Sequence, residues 1–203
     1  GTLLLIDETH TISTGPGGYT RAYGLEPDLF VVGKPIAGGV PASVWGFTDD
    51  VARRLDEARA ATPPGHSGMG TTLSANALAL AAMRATLERV MTPEAYAHMD
   101  RLAGQLAADL QASVSKRGLP WHVVRVGARV EFICAPGPLR NGTEAEAAHA
   151  PALERAMHLA LLNRGCLIAP FHNMMLVSPM THETQVERLV AAFDAAGALL
   201  ANG

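Results

Sequence analysis

Of the 16 basic residues in this 203-residue chain, 14 are arginine and only Lys34 and Lys116 are lysine. The distinction is chemical. Arginine keeps its proton, whereas a desolvated lysine can lose one and attack a carbonyl to form a Schiff base. Lys116 lies in Ser115-Lys116-Arg117-Gly118, where a long helical pattern meets glycine, and a cation in a last turn complements the helix dipole. Lys34 has a different setting. It follows Asp28-Leu29-Phe30-Val31-Val32-Gly33, which reads as a buried parallel strand, and precedes Pro35-Ile36-Ala37-Gly38-Gly39, which continues neither strand nor helix. The plain alternative is a strand-end lysine pointing into solvent.

A second apolar run, Thr2 to Ile6, leads straight into Asp7-Glu8-Thr9-His10-Thr11. Open α/β sheets bind ligands beyond the carboxyl ends of their strands, so Asp7 and Lys34, ending consecutive strands, can face one crevice. Between them lie Gly15-Pro16-Gly17-Gly18 and the segment from Tyr19 to Pro27. For Asp7 the alternative is a helix cap, worth about 1 kcal/mol.

The elements that must position these residues follow from pattern. Ser43 to Thr48 reads as a strand, followed by a helix capped at Asp49, and Ala75 to Val90 is a helical run. Thr92-Pro93-Glu94 places a cap, a first-turn proline and an acid at the start of a long helix ending near Gly118. Two alternating strands, Trp121 to Val126 and Arg129 to Cys134, join across Gly127. A helix follows with Leu153, Met157, Ala160 and Leu161 on one face, then two short strands and a last helix carrying Val186, Leu189, Val190 and Phe193. The order predicts an α/β fold: a mostly parallel sheet with helices over residues 1–100 and a small α+β domain over 101–203, the change falling within the long helix.

Composition narrows the class. Hydrophobic residues make up 48% and charged residues 17%, which excludes a disordered, collagen-like or disulfide-stapled chain. No stretch reaches the length of an uncharged membrane span. A net charge of −3 with scattered basic residues argues against a nucleic-acid partner. Cys134 and Cys166 show no metal-like spacing, which suits a reducing compartment such as the cytoplasm, and the eight histidines form no ligand pattern, so no metal is expected. The chain opens on Gly1-Thr2-Leu3-Leu4-Leu5, apolar and without a polar lead-in, and reads as a piece of a longer protein.

Three ordered motifs carry a family resemblance. Leu5-Ile6-Asp7-Glu8-Thr9-His10, Pro27-Asp28-Leu29 and Gly33-Lys34-Pro35-Ile36-Ala37-Gly38-Gly39 resemble class III aminotransferases, pyridoxal 5′-phosphate (PLP) enzymes of fold type I, whose pattern reads D-E, P-D-L and G-K-x-I-x-G-G. Gly70-Thr71-Thr72-Leu73-Ser74-Ala75-Asn76-Ala77-Leu78-Ala79 is similar to the family's G-T-x-S-G-N-P-L-A, with an extra threonine. Arg164-Gly165-Cys166-Leu167-Ile168-Ala169-Pro170 and Ser178-Pro179-Met180-Thr181-His182-Glu183 look most like the branch holding glutamate-1-semialdehyde aminomutase and β-amino-acid aminotransferases.

The resemblance implies that Lys34 holds PLP through a Schiff base and shuttles a proton, and that Asp7 pairs with the pyridine nitrogen. His10 matches a position beside the cofactor's phenolic oxygen; a satisfied loop histidine is its alternative. Thr9 stands where the family usually has an apolar residue against the ring. Thr72, or Thr71 if the register shifts by one, would meet the cofactor phosphate in the neighbouring subunit, implying a homodimer with composite sites. The implied reaction moves an amino group between an amino acid and an oxo acid. A glutamate-1-semialdehyde-type aminomutase and a non-catalytic PLP-fold module are the alternatives. Arg125, Arg129 and Arg140 are candidates for a substrate carboxylate, each with a surface or strand-edge reading beside it. The loop Phe171-His172-Asn173 lies where related enzymes shape the substrate pocket and holds no arginine. The resemblance makes this chain a C-terminal half, its missing N-terminal half supplying the glycine-rich phosphate loop, a ring-stacking aromatic and much of the pocket.

Overall fold

The computed structural model describes residues 1–65, 70, 72–169 and 173–201. The chain forms two compact units, Gly1–Pro93 and Glu94–Gly203.

In the first unit, β1 (Leu5–Asp7) pairs in parallel with β2 (Leu29–Val32), and β2 pairs with β3 (Val44–Phe47). The β2–β3 pairing is antiparallel, so this three-stranded sheet is mixed among the described residues, where a mostly parallel one is expected. Register sets Asp7 beside Val31 and Val31 beside Trp45. Because side chains alternate along a strand, Ile6, Phe30 and Val32 share one face while Leu5, Asp7, Val31, Trp45 and Phe47 share the other. Val32, Ile12 and Ile36 form the buried core of the first face, with Phe30, Met83 and Met91 packed around them. The second face is open: Leu5 is 54% and Trp45 47% exposed, and the Trp45 and Phe47 rings lie 5.1 Å apart.

Three helices complete the unit: α1 (Gly18–Ala22), α2 (Asp49–Ala60) and α3 (Ala77–Arg89). The cap expected at Asp49 is instead Thr48, whose backbone is extended. Asp49 and Asp50 lie in the first turn, where negative charge complements the dipole. Asn76 caps α3, its side chain accepting the Ala79 N–H at 2.9 Å.

The second unit is built on α4 (Pro93–Lys116), whose stripe of Met99, Leu102, Leu106 and Leu110 is buried. An antiparallel sheet holds β4 (His122–Val126), β5 (Arg129–Ile133) and β6 (Met174–Leu176). Helices α5 (Gly142–Ala147), α6 (Pro151–Leu162) and α7 (Glu183–Ala201) complete it. Two strands are expected before the last helix; among the described residues one, β6, is present, while Pro170, Phe171 and His172 lie outside them. Nothing in the hydrophobic pattern announces α5, which is polar and starts from an Asn141 cap. Phe132 and Phe193 meet edge to face, 5.1 Å apart, with Trp121 against both. The Arg117 guanidinium beside Asp194 holds that carboxyl well below the usual range; burial opposes this, and Ser113 and Lys116 add to it. Lys116 thus has a structural partner, at 3.3 Å. Among the described residues no helix is long and apolar enough to cross a membrane.

Phe193 is fully buried at the centre of the aromatic group. Phe193→Ala should therefore destabilise the protein by about 3–5 kcal/mol, read as a fall in the urea midpoint.

Candidate active site

Lys34 owes its position to its neighbours. Gly33 is buried beside Ser43 and Ala42, and a Cβ there would make ordinary contacts with them at 3.4 and 3.6 Å. Lys34 then adopts φ +50°, a left-handed conformation that costs a residue with a Cβ about 1–2 kcal/mol. It begins a 3₁₀ turn, Lys34–Ala37, whose Ile36 and Ala37 are buried and pin the turn to the core. Gly38 closes the turn at φ +60°, where a Cβ would crowd the Thr86 hydroxyl at 3.1 Å. The strain at Lys34 is held by apolar anchors on either side, which leaves the ammonium exposed.

Lys34 Nζ lies 3.2 Å from His10 Nε2; the proton's position depends on the histidine tautomer. Asp7, at the end of the parallel neighbour β1, is close enough to feel both Lys34 and His10 electrostatically. Its carboxyl is held below the usual range first by the Thr9 hydroxyl and the Thr9 N–H, with the charges of Lys34 and His10 adding to this. The Thr9 N–H donates to Asp7 Oδ1 at 2.8 Å, closing a two-residue Asx turn. Asp7, His10 and Lys34 therefore gather at adjacent strand ends: an ionised carboxylate, an imidazole and a primary amine, all reachable from solvent.

Behind Asp7 is a group the sequence reading left unassigned. Glu8 has no exposed surface. Its carboxylate accepts the Tyr19 N–H at 3.0 Å, the Thr20 N–H, and the hydroxyls of Thr11 and Thr20. Burial pushes the Glu8 carboxyl up, and the donors from Thr11, Thr20 and Tyr19 outweigh it, leaving the pKa lowered. Gly18 lies against this carboxylate at φ +66°, and a Cβ there would run into it. The glycines of Gly15-Pro16-Gly17-Gly18 thus include one that a buried anion requires.

The other candidates lie elsewhere. Thr72 is exposed in the turn leading into α3; Thr71 lies outside the described residues, as do Phe171 and His172. Arg125 is committed to the Asp100 carboxylate and the Gly127 carbonyl. Arg129 reaches Glu131 from one nitrogen at 3.3 Å. Arg140 is exposed. Among the described residues no three His, Cys, Asp or Glu side chains gather as metal ligands would.

Comparison with known proteins identifies the family. Residues 1–196 match the sequence profile of the family Aminotransferase class-III. The chain is 32% identical over 205 residues to a glutamate-1-semialdehyde 2,1-aminomutase of Thermomicrobium roseum, covering all of this chain and 46% of that protein. It is 34% identical to a second such aminomutase, of Brevibacillus brevis, covering 95% of this chain and 44% of that one. The chain thus spans about half the length of these curated relatives. Among solved structures, a glutamate-1-semialdehyde aminomutase of Pseudomonas aeruginosa PAO1 superposes with a TM-score of 0.90 at 50% identity, over 96% of this chain and 44% of that one. A variant of that enzyme has been solved in complex with PMP. A β-phenylalanine aminotransferase of Variovorax paradoxus superposes with a TM-score of 0.81 at 29% identity, covering 96% of this chain and 44% of that one.

Glu8→Gln should cost about 1–3 kcal/mol, because it removes a charge that buried donors are arranged to meet. The native residue's folded pKa lies below its ordinary 4.5. Its stabilisation is therefore fully present above that value and is lost as pH falls through the lower folded pKa. Unfolding midpoints of the full-length protein against pH should show this acid slope in the native protein and a shallower one in the variant. Gly18→Ala, which drives a methyl group into the same carboxylate, should be destabilising at every pH.

Proposed function

Because this chain belongs to the class III aminotransferases, we propose that it carries the lysine and carboxylate of a PLP site that moves an amino group between an amino acid and an oxo acid. The observation that carries the reading is the meeting of Lys34, His10 and Asp7 at the ends of two parallel strands. These residues fit the group: a solvent-reachable primary amine suits an aldehyde, and a carboxylate kept ionised by Thr9 suits a protonated ring nitrogen. When bound, PLP supplies an aldehyde that captures amines and a ring that withdraws electrons from the carbon bearing the amine.

The chain's own residues then divide the work. Lys34 Nζ would hold the cofactor and would be the group that takes and returns a proton at the substrate carbon. Asp7 would favour a protonated ring nitrogen, since an adjacent anion favours the charged form. His10 Nε2, 3.2 Å from the Lys34 amine, would help orient it. Thr72, exposed ahead of the α3 N-terminus, would offer its hydroxyl and N–H to the phosphate of a second copy's site in a homodimer with composite sites. The open sheet face of Leu5, Trp45 and Phe47 is the surface on which the rest of a full-length enzyme, the missing half of the site, would pack. The cytoplasm is the proposed compartment. The second reading is an aminomutase of the glutamate-1-semialdehyde type, which keeps the amino group within one substrate; identities of 32% and 34% to two such enzymes favour it. Transfer of the amino group to an added oxo acid separates the two.

In the full-length protein, borohydride reduction in the presence of PLP should leave the pyridoxyl label on Lys34. A label on Lys116 alone, or none, would overturn the assignment. Asp7→Asn should still take the label while its turnover falls about 10²–10³-fold; unchanged turnover would mean that the ring nitrogen is handled elsewhere.

A further inference from the structure

Thr9 is the residue that touches both strand ends. Its N–H donates to Asp7 Oδ1 at 2.8 Å, and its hydroxyl is the other Thr9 donor on the same carboxylate. The hydroxyl oxygen also lies beside the end of β2: a Cβ on Gly33, the residue before Lys34, would stand 3.9 Å from it. Thr9 is itself half-buried, whereas Asp7 is exposed and Gly33 buried.

The two donors are not equivalent. The N–H belongs to the backbone and closes the Asx turn whatever side chain stands at this position. The hydroxyl is supplied by threonine alone. An aspartate at an exposed strand end ordinarily samples several rotamers, and donors from the backbone and from a side chain together leave it few. The entropy of ordering Asp7 is then spent before any ligand arrives, which is preorganisation. Lys34 and His10 act on Asp7 through charge, which carries little direction, while the Thr9 donors carry a geometry.

We propose that Thr9 is a positioning residue for the cofactor's ring nitrogen: it holds the Asp7 carboxylate with Oδ1 turned to the Thr9 N–H, leaving Oδ2 to accept from a protonated ring. This role rests on the PLP reading above and deepens it. Asp7 loses part of its water when a cofactor covers it, and the Thr9 hydroxyl is a donor already in place to replace that water.

The test uses the full-length protein loaded with PLP labelled with nitrogen-15 in the ring. Thr9→Val keeps the shape of the side chain and removes the hydroxyl; Thr9→Ser keeps the hydroxyl. The ring-nitrogen NMR shift of the native protein should be that of a protonated nitrogen. In Thr9→Val it should move toward the unprotonated value and titrate at lower pH, and Thr9→Ser should restore the native signal. Pyridoxamine phosphate, added to protein freed of cofactor, should bind Thr9→Val about threefold to tenfold more weakly than native. An analogue with C–H in place of the ring nitrogen should bind both alike. Equal weakening of the two ligands would reduce Thr9 to a packing residue and overturn the proposal. An unmoved nitrogen signal in Thr9→Val would overturn it as well. Borohydride labelling separates this role from the reading beneath it. Label on native Lys34 with an unmoved nitrogen signal in Thr9→Val removes the role of Thr9 alone, whereas no label on Lys34 removes the PLP site and this role with it.

Discussion

A carboxylate with no exposed surface, Glu8, stands directly behind an exposed one, Asp7, and the second is held in place by the first. Four donors from Thr11, Tyr19 and Thr20 converge on Glu8, tying the end of β1 to the 3₁₀ turn Thr11–Thr14 and to the start of α1. A buried anion left without these donors would be strongly unfavourable, so the loop has little freedom to drift while Glu8 stays ionised. Asp7 and Thr9 flank this fixed point. Adjacent residues on an extended segment face opposite ways, which is how one carboxylate is spent on structure while its neighbour faces solvent.

The opposite strand end uses a different device. Lys34 is fixed by apolar burial on both sides and by a left-handed backbone, and its amine meets His10 Nε2 at 3.2 Å. The two ends also differ in what would disturb them. Protonation or a methyl group at Gly18 attacks the Asp7 side, whereas loss of packing under Ile36 attacks the Lys34 side. This matters because the cluster packed under this sheet face is small among the described residues, Val32, Ile12 and Ile36 with Phe30, Met83 and Met91 around them. Local constraints must therefore supply the precision that a large core would otherwise give.

Much of the site was legible in the sequence because its information is local. Asp7 and Lys34 each end an apolar run, and parallel pairing of consecutive strands brings those ends together. The glycines after Lys34 announced a turn, while the helix read from Ala75 starts at Ala77 behind an Asn76 cap. What escaped were contacts between residues distant in sequence. Glu8 reads as an ordinary acid until Tyr19 and Thr20 fold back onto it, and the commitment of Arg125 to Asp100 spans 25 positions. Thr9 is instructive in another way. It departs from the apolar residue usual in the family, and its hydroxyl and N–H are the groups that hold Asp7 ionised. An Asp followed two residues later by a donor was the available signal. The antiparallel direction of β3 was illegible for a plainer reason: a short strand exposed on both faces carries no periodicity that encodes direction.

The open face of the first sheet follows from the same division of labour. Leu5, Trp45 and Phe47 are the residue types that fold a sheet, yet they remain exposed, on the face that also carries Asp7. Had that face been covered by this unit's own helices, Asp7 would be desolvated, and burial already acts to raise its pKa against the pull of Thr9. Leaving these apolar positions exposed while Thr9 secures the charge locally keeps Asp7 ionised. Two requirements that conflict within one small unit, an apolar sheet face and a charged strand end, are thereby separated, the charge being held by a hydrogen bond from a residue two positions away.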